Sequence, residues 1–476
     1  MGVKNRLISF LILIALAAPC QAAAPKYVFL FIGDGLGASQ RQFSEYYLQE
    51  VTKNPKAKLR MNQLAVAGLN TTHAADTLVT DSAAAATALA TGQKTNKGML
   101  SISPEGRPLT TLMEAVVPLG FARGIVTTTR VTHATPAAFF AHNPSRNHEN
   151  EIARDLVDSD LDFIAGGGIR HFIPQDFPGD TKDALGRPIL SKRRDKAHLI
   201  NELKAKGYNT FVGKAGAKAF AAQNFTRVSR VFAAFSHSNL PFEIERQYQS
   251  PDLPSLAEMT RAGIAVLEQD PDGFFLMVEG GRIDHACHAN DPAATLHDVL
   301  ALDRAVAEAW DFYTAHPNET LILVVGDHET GGLGMGLDVQ GYHLNLAALI
   351  PVRTAMVGSR RKSGTHDVPA LFHRLETQYG LANITPEESS ALKKALKQAS
   401  APRDTQSKPG KYFYDPVALT ASRLLSRRAN IGWTATVHTA TMVPLSAQGV
   451  GSQAFSGFKD NTQIARTLAK VLGVNL

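Results

Sequence analysis

The chain is 476 residues long and 44% hydrophobic, with 49 Lys/Arg against 43 Asp/Glu for a formal charge of +6. That length and apolar content support a large buried core and exclude a disordered chain, and two cysteines are too few for a disulfide scaffold. The positive excess is concentrated between Arg353 and Arg428, where 14 Lys/Arg face 6 Asp/Glu; with no nucleic-acid-binding motif and no interleaved aromatics, it reads as solvated surface.

Lys4 and Arg6 precede an apolar run over 7–18 and the small residues Ala22, Ala23 and Ala24. This pattern predicts a secretory signal over 1–22, whose removal leaves Cys287 as the only cysteine and delivers the protein to the periplasm or the exterior. The run is short for a membrane span. Downstream, the apolar runs 27–32, 123–127, 274–278 and 321–325 read as buried strands. Residues 41–48 read as an amphipathic helix, and 81–90 and 293–309 as further helices. Asp81 or Ser82 is a natural cap for the 81–90 helix, and Gly92 a natural stop. Alternating strands and helices predict an α/β fold, a three-layer α/β/α sandwich around a mainly parallel sheet. Residues 170–255 and 346–428 fit the alternation badly and read as insertions, the second with a polar, linker-like stretch over 399–411. The main domain is then 23–345 plus 429–476.

Each predicted strand leads into ligand-type residues. Run 27–32 leads to Gly33-Asp34-Gly35, run 123–127 towards His133 and Thr135, run 274–278 to Glu279, and run 321–325 to Gly326-Asp327-His328. In a parallel sheet these carboxyl ends share one edge, so residues distant in sequence converge there. The spacing of Asp284 and His288 places a carboxylate and an imidazole on one face of a turn or helix start. Ser82 stands where unpaired N–H groups and positive potential favour a phosphate.

Taken in order, Gly33-Asp34-Gly35, Asp81-Ser82-Ala83, His133-Ala-Thr135-Pro136, Arg146, the segment from Glu279 to His288, Gly326-Asp327-His328-Glu-Thr-Gly-Gly332, and Asn430-Ile-Gly-Trp433 leading to His438-Thr439 resemble the alkaline phosphatases of the metal-dependent, serine-nucleophile type. The resemblance spans most of the chain after residue 22. It implies a catalytic main domain, a crown-like module at 346–428, hydrolysis of phosphate monoesters through a phosphoserine at Ser82, and a homodimer. It implies two zinc ions, one held by Asp284, His288 and His438, the other by Asp34, Asp327 and His328 with Ser82 joining. It implies a magnesium ion held by Asp34, Thr135 and Glu279, and a phosphate clamp at Arg146. His133 and His285 stand where some members carry aspartate and lysine, and would tune the third site; imidazole at 133 favours a transition metal over magnesium. Cys287 is expected to be a bystander. Glu329 is expected to orient a neighbour or to face solvent, and His73, His142, His148 and His171 to lie at the surface or behind the ligands. A phosphodiesterase or sulfatase on the same fold, and a binding protein without turnover, are the competing readings. Arg146 with Thr135 and Glu279 favours a monoester dianion, and the intact Ser82 favours turnover.

Overall fold

The apolar runs become strands covered on both faces. The computed structural model describes residues 24–179, 181–337, 341–356, 368–400 and 415–476. The expected signal segment lies outside these residues, as do most of the 399–411 stretch and six of the 14 Lys/Arg between Arg353 and Arg428. The strands are β1 (Tyr27–Gly33), β2 (Val66–Asn70), β3 (Ala122–Arg130), β4 (Phe163–Gly167), β5 (Asn209–Val212), β6 (Val231–Ala234), β7 (Phe274–Glu279), β8 (Thr320–Gly326), β9 (Glu329–Thr330), β10 (Leu333–Met335), β11 (Ile431–Trp433), β12 (His438–Thr439), β13 (Val443–Gly449) and β14 (Gly457–Lys459). Ten form one sheet, in the order β14-β2-β13-β8-β1-β7-β3-β4-β6-β5. All its neighbours pair parallel except β13, which runs antiparallel to β8 and β2.

Strand periodicity builds the three layers. Along β1, Val28, Leu30 and Ile32 join one apolar cluster while Tyr27, Phe29 and Phe31 join another on the opposite face. The first cluster receives the helices Ser82–Thr91, Glu149–Asp158 and Asn461–Leu472; the second receives Leu256–Leu267 and Pro292–Ala315. Each such fully buried Phe, Leu or Ile contributes roughly 1.5–3 kcal/mol of transfer free energy. The fold is therefore the expected α/β/α sandwich.

Two expectations need correction. Residues 170–255 are not an insertion, because β5 and β6 lie within them and extend the sheet beyond β4. β5, Asn-Thr-Phe-Val, has too little apolar periodicity to stand out, whereas β6, Val-Phe-Ala-Ala, is a buried apolar run that the sequence reading did not take up. In addition, Glu279 is the last residue of β7 rather than the first residue beyond it. Within 346–428, the described helices Val368–Tyr379, Pro386–Ser400 and Pro416–Arg428 pack against residues outside the segment. Leu375, Tyr379, Ala421 and Leu425 share an apolar cluster with Phe43, Phe242 and Leu296.

Candidate metal centre

The carboxyl ends of β1, β3, β7 and β8 carry the expected residues to one edge. Asp34 follows β1 directly, and Asp327 and His328 follow β8. Beyond β3 the chain turns at His133 into the short helix Ala134–Ala137, which bears Thr135. Glu279 ends β7, and the helix Arg282–His288 follows, with Asp284 and His288 one turn apart. His438 arrives on β12, which pairs antiparallel with β9 immediately after His328. Ser82 opens a helix buried along its whole length, capped by Asp81, which accepts from Ala84 N at 3.2 Å. Gly92 ends that helix in the left-handed region, at φ 68°, as expected.

Two donor sets are packed to matching dimensions. His288 Nε2 lies 3.1 Å from His438 Nε2 and 3.2 Å from Asp284 Oδ1, and His438 Nε2 lies 3.4 Å from the same Oδ1. In the second set, His328 Nε2 lies 3.3 Å from Asp34 Oδ1, 3.4 Å from Asp327 Oδ2 and 3.3 Å from Ser82 Oγ. Zinc bonds of about 2.0–2.1 Å put tetrahedral ligand atoms about 3.3–3.4 Å apart, so both sets have the spacing of zinc ligands. The sets adjoin: the rings of His328 and His438 stack at 3.7 Å, and Asp284, His328 and His438 also converge. The far ring nitrogens are fixed, His288 Nδ1 by Thr436 O at 2.7 Å and His438 Nδ1 by Thr80 O at 2.9 Å. Each bond orients Nε2 towards the centre.

A third set gathers Asp34, His133 and Glu279. Thr127 and Thr129 donate to Glu279 Oε2, the second at 3.1 Å, and Thr135 is buried beside Glu279. Glu279 Oε1, both Asp34 oxygens and Asp327 Oδ2 are buried without a hydrogen-bond donor. Buried carboxylate oxygens left in this state call for a cation, and an oxygen-rich set suits magnesium. Proton affinities carry the same signature. Burial, reinforced by repulsion from Asp327, Asp284 and Glu279, pushes Asp34 well above the usual carboxylate range. Burial and neighbouring carboxylates do the same to Asp327, and burial pushes Glu279 up to about 7. Burial opposes ionisation of Asp284 as well, but His288 and His438 beside it hold its carboxyl well below its ordinary value.

Arg146 Nη1 donates to Asp81 Oδ2 at 2.9 Å and Nη2 donates to His133 Nε2 at 3.1 Å. The family model for alkaline phosphatase matches residues 25–474. The chain belongs to the alkaline phosphatase family. It is thus a metal-dependent phosphoric monoester hydrolase. It is 32% identical over 460 residues to alkaline phosphatase 3 of Bacillus subtilis, covering 95% of this chain and 90% of that one. The repressible alkaline phosphatase of Saccharomyces cerevisiae is 29% identical over 506 residues, covering 98% and 86%. Among solved structures, Thermus thermophilus alkaline phosphatase aligns with a TM-score of 0.78 at 28% identity, covering 98% of this chain and 96% of that one. The cold-active alkaline phosphatase of Shewanella sp. aligns at 0.75 and 28%, covering 94% and 99%.

Around this enzyme's centre several sequence expectations meet their surroundings. His285 does not enter the donor sets; its Nδ1 contacts Gly281 O at 3.1 Å, and burial lowers its pKa to about 3. Cys287 is buried with its sulfur 3.6 Å from Thr295 Oγ1. Glu329 is only 6% exposed, so it does not face solvent. Sequence reasoning passed over Thr330, whose hydroxyl donates to Asp284 Oδ1 at 2.6 Å and lies 3.3 Å from His328 Nδ1. It also passed over Gln40, and it quoted Thr439 beside His438 without giving it a role. A threonine two places beyond Asp327-His328 was the one local signal available.

Proposed function

We propose that this enzyme is an exported alkaline phosphatase that passes the phosphoryl group of a small monoester to Ser82 and then to water, with two zinc ions and one magnesium ion. The zinc-like spacing of the two buried donor sets carries the reading. Asp284, His288 and His438 would hold one zinc. Asp34, Asp327 and His328, joined by Ser82 Oγ, would hold the other. Asp34, Thr135 and Glu279, completed by water, would hold magnesium. When bound, the zinc pair stabilises charge on the attacking and leaving oxygens and lowers the proton affinity of the Ser82 hydroxyl.

The chain's own groups do the rest. Ser82 releases its hydroxyl proton to solvent as Oγ attacks phosphorus in line, and the bond from phosphorus to the leaving oxygen breaks on the opposite side, that oxygen taking up a proton from solvent. The helix N-terminus that presents Ser82 favours the dianion there. Asp81 and His133 orient the Arg146 fork before phosphate arrives, so its planar donors meet two phosphate oxygens with little reorganisation. Water then attacks the phosphoserine, the Ser82 oxygen leaves and regains a proton, and inorganic phosphate departs. Lys4, Arg6 and the 7–18 apolar run support export to the periplasm or the exterior after removal of 1–22. No helix among the described residues is long and apolar enough to cross a membrane. The family resemblance supports a catalytic domain of 23–345 and 429–476, a crown-like module at 346–428, and a homodimer.

A chelation-and-rescue assay tests the proposal. Stripping metal should abolish hydrolysis of an aryl phosphate, and zinc plus magnesium should restore it. Acid-quenched enzyme should carry phosphate on Ser82, and Ser82→Ala should carry none. Turnover that survives exhaustive chelation, or phosphate incorporation that survives Ser82→Ala, would refute it.

A further inference from the structure

We infer that Glu329 is a positioning residue whose buried carboxylate clamps together the three chain segments that deliver Asp34, His328 and His438. The inference rests on the metal reading above. Glu329 follows His328 on β9, and Thr439 follows His438 on β12. The two strands pair antiparallel with Thr439 opposite Glu329 and His438 opposite Thr330. Across that pair, Thr439 Oγ1 donates to Glu329 Oε2. Gly332 N donates to Oε1 at 2.9 Å and approaches Oε2 at 3.2 Å. From the third segment, Gln40 Nε2 donates to Glu329 Oε1 at 2.5 Å and to Thr330 O at 2.8 Å. Gln40 lies in the first turn of the helix Ala38–Thr52, which begins four residues after Asp34. The approach is close: a Cβ on Gly37 would lie 2.3 Å from Glu329 Cγ, so the start of that helix rests on the glutamate stem.

The chemistry of the pocket selects a carboxylate. Each of these three partners presents an N–H or O–H group, and an ionised carboxylate accepts from all of them. An amide that keeps its oxygen towards Gln40 and Gly332 N would force the Thr439 hydroxyl to reverse from donor to acceptor and would set its NH2 against Gly332 N, 3.2 Å from that position. In a buried setting the mismatch strains or releases at least one strap. The straps end one residue from His328, one residue from His438 and six residues from Asp34, so loosening them displaces ligand atoms from their 3.3–3.4 Å spacing. No strap touches a reacting atom, so Glu329 acts through the ligands it holds.

The test reads metal directly. Zinc affinity of the metal-free enzyme is measured by competition with a chromophoric chelator, and the visible spectrum of the cobalt-loaded enzyme reports ligand geometry. Glu329→Gln should weaken zinc binding about 10–100-fold, the range for partners that orient metal ligands, and should alter the cobalt bands. Thr439→Val removes one strap while preserving shape. It should weaken binding about tenfold and decides the matter if Glu329→Gln does not fold. Folded variants that hold zinc within about twofold of the parent, with an unchanged cobalt spectrum, would overturn the clamp but leave the metal reading intact. A parent enzyme that binds no zinc would overturn both.

Discussion

His133 shows how one side chain can set the character of the third donor set through its hydrogen bonds. The Arg146 guanidinium can only donate, so His133 Nε2, 3.1 Å from Nη2, is its acceptor. In the neutral ring the proton then sits on Nδ1, which faces Glu279 Oε1 at 4.0 Å. Burial, with Arg146 and Arg130 nearby, keeps the imidazole neutral by holding its pKa well below the ordinary histidine value. His133 therefore offers a donor to the third set, where the waters of a bound magnesium ion would present donors of their own. His133→Asp replaces that donor with an acceptor while keeping a partner for Arg146. The expected outcome is magnesium binding tightened by about 10–100-fold, checked by titrating magnesium into the zinc-loaded variant. Equal affinity in variant and parent would count against a role for His133 in metal choice.

At the scale of elements, the site depends on how tightly loops at the sheet edge approach one another. Gly35 sits at φ 74°, and a Cβ there would lie 2.9 Å from both Asp284 Cα and Thr330 Oγ1. The turn after β1 thus packs against the helix that bears Asp284. Gly35→Ala should cost roughly 1–2 kcal/mol in backbone strain alone, and more through the contact with backbone at 284, seen as a lower Tm together with weaker zinc binding. A variant with parental Tm and affinity would show that the turn can shift freely. The same geometry explains what the sequence revealed. The central strands β1, β7 and β8 are covered on both faces, so they appear as continuous apolar runs. β13, with Pro444, Ser446 and Gln448 along it, and the short β5 and β14 lack that pattern. Strand-end carboxylates such as Asp34 and Asp327 stand out because position alone marks them. His438 came only through family resemblance, since nothing local ties it to Asp284, and Gln40 meets Glu329 across 289 positions that only tertiary packing closes.

For the molecule as a whole, the centre couples folding, protons and metal. Without metal, Asp34 and Asp327 are held well above the usual carboxylate range and Glu279 at about 7, chiefly by burial, while Asp284 raises the affinity of His288 for its proton. Each of these four groups keeps its proton in the folded chain to a higher pH than in the unfolded chain. Their contribution to stability is therefore fully present below the unfolded pKa, about 4 for the carboxyls and 6.5 for the histidine, and is lost as pH rises towards each folded value. Asp284 shifts the other way, but its contribution changes only below about pH 4, outside the working range. Metal reverses the trend, because ligands bind it deprotonated and each ion displaces protons as it enters. Between pH 6 and 8 the stability added by zinc at fixed free concentration should grow by up to about 1.4 kcal/mol per pH unit for each proton displaced. Groups far from the centre titrate alike in both forms and cancel in the difference. Thermal unfolding of matched metal-free and zinc-loaded samples across that range measures it as a widening gap in Tm. A gap independent of pH would mean that the buried carboxylates are already ionised before metal arrives, and that positive charge within the fold already balances them.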